Sequence, residues 1–447
     1  MSVVTRNRTV EPVPAFAEAL ERLRGEAAGS SGRALEERAA AFERFQALGV
    51  PTARVEAWKY TNVSSFANRP FGLAPRGTVE PDLIIPHFAG GHRARRLILV
   101  NGRAVPQFNH LGGLPAGMTV RPLAQVLAET PELVERSSVN DEPEHSFEAL
   151  NRALVEDGAW ISLKDGVALD EPLQIISLLT AGESAFMTHP RHVIRLGKGA
   201  KLDVIMTTVA LGQADSLMNQ VETIEVADGA ELTIDRTLEQ GQGRSAITRS
   251  RYVLGNRARL QQTNAGLGGS LIRHEMEVRL RGTHSEAILN GLMMPQGTEH
   301  VDTLIRVHHE MPDCQSDQFY KTVADGRGRA VFAGKIFVHK DAQRTNSYQK
   351  NDSLLLSDDA EIDAKPELEI YADDVKCSHG ATCGDLDPTA LFYLRSRGLD
   401  EALARSMLTF AFTGEVLERI KDESVGHVVR RMILDRLPGG ERLAELG

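Results

Sequence analysis

Residues 371–384 read Tyr-Ala-Asp-Asp-Val-Lys-Cys-Ser-His-Gly-Ala-Thr-Cys-Gly and gather two of the chain's three cysteines around a histidine. A thiolate beside an imidazole is a donor set for iron, zinc or copper, or the makings of a reactive thiol. On a strand, Cys377 and His379 stand at i and i+2 and point to one face. The C-x-H-x3-C spacing is not that of a zinc finger, which needs two close pairs of ligands. From spacing alone, a buried cysteine beside a surface histidine is the plainer reading and the preferred one at this point.

Other chemistry-bearing residues are weaker candidates. His308-His309-Glu310, with His300 upstream, has metal-ligand types. Adjacent strand histidines face opposite ways, so one at most serves a given site, and a solvated edge is the preferred reading. Lys321, Lys335, Arg344 and Lys350 are scattered basic residues. No glycine-rich phosphate loop or Walker motif accompanies them, so any ATP use belongs to a partner. Gly326-Arg327-Gly328 reads as a corner between strands. Asp373-Asp374 ahead of His379-Gly380 supplies carboxylates for a polysaccharide-acting hydrolase, the alternative function. Against it, these groups crowd into one short stretch, whereas such enzymes spread them over separate coils.

The elements that hold the Cys377 stretch come from a long strand-rich run, Trp160 to Ile370. Short segments alternate apolar and polar residues, as in Leu202-Asp203-Val204-Ile205 and Leu232-Thr233-Ile234-Asp235. A turn phrase, roughly Gly-x-x-Ala-x-Leu, recurs with its alanine at 168, 200, 230, 258, 287, 330 and 360. The steps are 32, 30, 28, 29, 43 and 30 residues. A period near thirty in strand-rich sequence predicts stacked coils, a parallel β-helix, ahead of a β-sandwich. The long step, covering Met293 to Tyr320, predicts an insertion or an extra strand.

Helical patterns flank this run. Phe16, Leu20 and Leu23 mark one helix, which Gly29-Ser30-Ser31-Gly32 breaks. Leu35, Ala39, Phe42, Phe45 and Leu48 mark a second, ended by Gly49 and Pro51. Trp58 reads as a packing anchor for that pair. Leu97–Val100 is a strand with Asn101-Gly102 as a hairpin turn before Arg103. Helical pieces follow near 122–137 and at 143–156. Beyond Gly384, Asp387 caps a helix with Pro388 at its first position and a Leu386–Leu391 staple. Asp400 caps a longer one bearing Leu403, Met407, Phe410, Leu417 and Ile420. A last helix carries Val428, Met432 and Leu437. These helices are expected either to cap the open end of the β-helix or to dock a partner. The expected division is 1–157 mostly helical with a small strand pair, 158–385 β-helix and 386–447 helical.

Composition narrows the function. A formal net charge of −10 argues against a nucleic-acid surface, and 5% aromatic residues against a base- or sugar-stacking cleft. Three cysteines in 447 residues make no disulfide framework. The start, Met1 to Arg8, lacks the apolar run of a signal peptide, and no window reaches the length of a membrane span. The expectation is a soluble, cytoplasmic protein.

The run Ala364-Lys365-Pro366-Glu367-Leu368-Glu369-Ile370-Tyr371-Ala372-Asp373-Asp374-Val375-Lys376-Cys377-Ser378-His379-Gly380-Ala381-Thr382 resembles the signature of the SufB/SufD family of iron–sulfur cluster assembly proteins. Leu391-Phe392-Tyr393-Leu394-Arg395-Ser396-Arg397-Gly398-Leu399 is similar to a second family phrase. Glu56 to Thr61 and Asn151 to Gly158 are similar to further ones, so the resemblance covers most of the chain. Leu394 stands where the SufB branch carries a cysteine taken to receive sulfur, so the chain resembles the SufD branch. Cys383 departs from that branch, which has an apolar or small residue there, and the family lends it no ligand role.

The resemblance implies a mainly β protein, a right-handed parallel β-helix core flanked by N-terminal and C-terminal α-helical regions. It implies a non-catalytic scaffold subunit that pairs with a SufB paralogue near the end of the β-helix. Two copies of the ABC-type ATPase SufC complete the complex, docking on the C-terminal helices, with sulfur arriving from a cysteine desulfurase. Cys377 and His379 would then be transient ligands of iron or a nascent cluster at the SufB interface, with no stably bound cofactor. Reduced flavin is associated with such complexes, although no residue here announces a flavin site. Iron–sulfur clusters usually take four protein ligands, so two must come from the partner. Alone, the chain would form a homodimer through the same surface.

Overall fold

The computed structural model describes residues 9–11, 14–26, 32–135, 145–180, 184–212 and 214–446. Met1 to Arg8, the expected break at 29–31 and the helix ends expected at 136–137 and 143–144 lie outside them. Two sheets carry the fold: sheet I with eleven strands and sheet II with ten. From Ser216–Val226 to Val375–Gly384 the chain alternates between them, and each strand pairs in parallel with the strand two places earlier. The result is the expected parallel β-solenoid, of about seven turns, with helices at both termini.

One register position of sheet II stacks Lys201, Glu231, Arg259, Glu286, Gln315, Asn346 and Lys376, so each coil takes 27 to 31 residues. This corrects the sequence reading: no insertion or extra strand lies between Met293 and Tyr320. His300–His309 and Gln315–Ala324 take regular places in sheets I and II. The long step is an exchange of corners, because Ala287 pairs within sheet II and Ala330 within sheet I. The corner leading into sheet II needs one left-handed residue per coil. Gly199 and Gly229 supply it first, then Arg257, His284, Asp313 and Arg344, with φ between 54° and 62°. The Asp313 and Arg344 corners lose the phrase. Cross-coil pairing offsets the strain: the Arg344 guanidinium donates to the Asp313 carboxylate at 2.6 and 2.7 Å.

Alternate residues of each strand face the space between the sheets. Leu202, Leu232 and Leu260 form one such column, and Ile305, Phe332, Ile336 and Val338 belong to others; all are buried. Burying a side chain of this size is worth about 1.5–3 kcal/mol.

The N-terminal region joins the solenoid as well as covering it. Arg95–Val100 pairs in parallel with Leu173–Leu179, then turns at Asn101-Gly102, φ 51° and 81°, as the expected hairpin. Met118–Pro122 pairs antiparallel with Gly158–Leu163. Helices Ala15–Glu26, Gly32–Leu48 and Ser146–Leu154 pack Phe16, Phe42, Phe45 and Phe147 against Leu217, Ile247 and Leu271 on the outside of sheet I. Trp58 joins this core, and its ring also stacks under the Arg273 guanidinium at 3.9 Å, so it anchors the helices to the solenoid.

The C-terminal helices begin as expected. The Asp387 carboxylate accepts from the Thr389 amide at 2.9 Å, and Asp400 from Leu403 at 2.9 Å. The long helix, Glu401–Leu417, ends before Ile420, and a further helix, Gly440–Leu446, follows Glu423–Asp435. Leu403, Val416, Val429 and Ile433 lie against Leu267, Leu292, Phe319 and Leu354 on the outer face of sheet II. The helices therefore flank the solenoid and leave its last turn uncapped.

Candidate functional site at the open solenoid end

The last turn consists of Glu361–Ile370, which ends sheet I, and Val375–Gly384, which ends sheet II. Among the described residues, each ten-residue strand pairs on one side only, leaving two adjacent rows of backbone donors and acceptors free of a strand partner. Register places Cys377 over Ser347, His379 over Gln349 and Cys383 over Ser353. Ser347, Gln349 and Ser353 are buried between the sheets, so Cys377, His379 and Cys383 all continue interior columns into the uncovered end.

Cys377 and His379 share a face, as strand geometry predicts, about 6–7 Å apart along the strand. Cys377 is half-buried and packs on the core; His379 and Cys383 are exposed. Cys383 is six residues from Cys377, about 20 Å along the strand, too far to share one ion. Among the described residues, no three His, Cys, Asp or Glu side chains stand together as a metal site. Burial pushes the Cys377 thiol above its usual pKa. Burial and then Asp385 do the same at Cys383. The unliganded thiols are therefore neutral at physiological pH, and one thiol with one imidazole is half a ligand set.

The second histidine group departs from the sequence reading. His308 and His309 are buried, not part of a solvated edge. They do face opposite ways. His308 stacks on Phe337 with ring centroids 4.5 Å apart, and His309 Nε2 lies 2.9 Å from Ser316 Oγ inside the solenoid. His300 approaches Thr61 at 3.2 Å, and Glu310 accepts from Arg279 at 2.6 Å. The scattered basic residues are paired: Lys321 with Asp352 at 3.2 Å and Lys335 with Glu369 at 2.5 Å across coils, and Lys350 with Asp352 at 3.0 Å along one strand. Asp374 is exposed at a corner, where its carbonyl accepts from the Arg344 amide at 2.6 Å.

Sequence reasoning missed the polar interior. Ser316, Gln318, Ser347, Gln349 and Asn351 occupy interior columns beneath the open end and are buried. Nothing local marked them, because polar side chains stand on both faces of Gln315–Ala324 and Thr345–Leu355.

Beyond the last turn, helix Pro388–Ser396 has no buried residue and exposes Phe392 by 74% and Tyr393 by 54%. Among the described residues, no helix is long and apolar enough to cross a membrane.

Residues 178–412 match the family described as "SUF system FeS cluster assembly, SufBD core domain", and residues 26–175 match "SufBD protein N-terminal region". The chain is 34% identical to "Iron-sulfur cluster assembly protein SufD" of Escherichia coli (strain K12) over 88% of its own length and 91% of that protein. It is 27% identical to "Iron-sulfur cluster assembly SufBD family protein slr0076" of Synechocystis sp., covering 89% of both chains. A shorter match, 39% identical, covers 36% of this chain and 35% of "Protein ABCI7, chloroplastic" of Arabidopsis thaliana. Two adjoining family matches and a relative aligned almost end to end, on a solenoid that presents Cys377 and His379 at its open end, show that this chain belongs to the SufBD family of SUF-system iron–sulfur cluster assembly proteins.

Proposed function

We propose that the chain is a scaffold subunit without turnover of its own, and that a SufB-type paralogue docks on the open solenoid end to complete an assembly site. The uncapped last turn carries this reading. It combines two unpaired strand edges with a thiol and an imidazole facing the same way. Iron or a nascent cluster is the cargo of such a site, and Cys377 and His379 are half of its ligands. Sharing the set between two chains keeps the cargo labile, as a scaffold that passes it on requires. The C-terminal helical block binds the SufC-type ATPase, supported by the exposed Phe392 and Tyr393. Three free cysteines suit a reducing, cytoplasmic setting. Without its paralogue the chain pairs with itself through the same edges.

Hydrogen exchange tests the docking. Amides of Glu361–Ile370 and Val375–Gly384 should exchange quickly in the free chain at low concentration and slowly in the complex with the paralogue and the ATPase. Equal exchange in both states would place the interface elsewhere.

A further inference from the structure

Between the N-terminal helices and the outer face of sheet I lies a cavity of about 270 Å³, half-open to solvent among the described residues. Leu48, Val55, Trp58, Phe147 and Ile247 give it a mainly apolar wall. They come from the end of helix Gly32–Leu48, the turn at Glu56–Trp58, helix Ser146–Leu154 and strand Arg244–Leu254. The wall is pre-formed. Trp58 and Phe147 stand with ring centroids 5.5 Å apart, and the Arg273 guanidinium holds the Trp58 ring at 3.9 Å.

The charges around the cavity are matched within the protein. Arg249 donates to Glu275 at 2.9 Å, with its Nε 3.6 Å from Glu148, and Arg251 forms a bidentate pair with Glu148. An ionised ligand would therefore shed water here without gaining a counter-ion. His145 is the polar group left over. Among the described residues no hydrogen bond reaches its ring, and the Glu275 carboxylate stands 3.9 Å away. Burial, then Arg249, hold its pKa down at about 4, so the ring is neutral. A neutral imidazole offers one donor and one acceptor, the complement of a hydroxyl.

We propose that this cavity is a binding site for a neutral aromatic molecule of two fused rings with one hydroxyl or carbonyl group, its rings against the Trp58 wall and its polar group on His145. Size sets the ring count. A dry cavity of roughly 150 Å³ holds one benzene ring, so this one takes two. The matched charges set the neutrality, and the pairing of apolar wall with one free polar group sets the orientation. The site does not depend on the ligand role of Cys377 or on docking at the solenoid end.

Calorimetric titration of the full chain with 2-naphthol, a neutral two-ring probe with one hydroxyl, tests the site. One saturable site is expected. 2-Naphthoate, the same rings bearing a charge, should bind about 10-fold more weakly or worse. Leu48 and Val55 are half-buried, so Leu48→Trp and Val55→Trp fill the space from the wall without opening the core. Each should abolish binding while keeping the circular-dichroism spectrum of the parent. His145→Ala should weaken 2-naphthol about 3–10-fold, the worth of one hydrogen bond, and leave naphthalene unchanged. No saturable binding by the parent would overturn the proposal. So would undiminished binding by either folded filled variant, which would place the probe elsewhere. 2-Naphthoate binding as tightly as 2-naphthol would overturn the neutral ligand class.

Discussion

In the middle turns, Glu222 is wholly buried between the sheets and accepts from Arg236 at 2.7 and 2.8 Å, Ser250 at 2.6 Å and Gln220 at 2.6 Å. Burial alone would push its pKa up, yet Arg236 holds it down at about 2. Beneath the N-terminal helices, buried Arg273 donates to Glu275 at 2.8 Å, to the Ala57 carbonyl at 2.6 Å and to Asp302. In the last turn, interior columns of sheet II end in His379 and Cys383, both exposed, and in strands paired on one side only among the described residues. In the middle turns Glu222 and Arg273 are closed within the chain. The last turn leaves its donors and edges for another molecule. Ionisable residues alone therefore do not mark the site; unfinished pairing does.

The contrast breaks hardest at Arg273. Arg273→Ala would leave Asp302 buried without its cation and Glu275 with Arg249 alone, and should cost about 3–5 kcal/mol, measured by denaturant unfolding. A loss below about 1 kcal/mol would mean that the middle network is not closed as described.

Acid should attack the middle before the end. Burial holds His189, His274 and His309 down at about 3 and His192 at about 4, against an ordinary value near 6.5. Each is neutral when folded and gains a proton more readily when unfolded. Their stabilisation is full above pH ~6.5 and is lost as pH falls from there toward 3–4. Each removes about 1.4 kcal/mol per pH unit in that window, so the midpoint of unfolding should drop steeply by pH 5. A flat profile between pH 7 and 5 would contradict the buried, neutral assignment.

Substitutions in the last turn should barely register on stability. Cys383→Ser and His379→Ala are expected to shift unfolding by less than about 0.5 kcal/mol, because both side chains are exposed. Phe392→Ser combined with Tyr393→Ser should likewise leave the melting curve alone while weakening capture of the ATPase. A cooperative loss of fold in any of these would assign the last turn, or the helix that follows it, a structural role instead.

Much of this arrangement was legible in the sequence because strand chemistry repeats. The alternation of Leu202 to Ile205 and of Leu232 to Ile234 gave the faces, and glycine corners gave the coil length. The reading failed where corners use Asp313 and Arg344 in place of glycine, since a left-handed residue held by a cross-coil ion pair leaves no local mark. It failed at His308 and His309 because burial depends on Phe337 and Ser316, which lie on neighbouring strands. The pairing of Cys377 and His379 on one face needed only a period of two. That their columns run out into an uncapped end did not follow, because an amphipathic helix shows that it packs and not where. Leu403 and Val429 could have covered the last turn as readily as sheet II.

The central claim is that this end is half of a cluster-building site. The most direct test is the iron and sulfide content of the complex co-expressed from this chain, its paralogue and the ATPase, with His379→Ala beside the parent. Gel filtration follows assembly separately. The account predicts a complex of unchanged size that has lost most of its iron and sulfide. An intact His379→Ala complex with undiminished cluster would contradict it and leave His379 as an interface residue only.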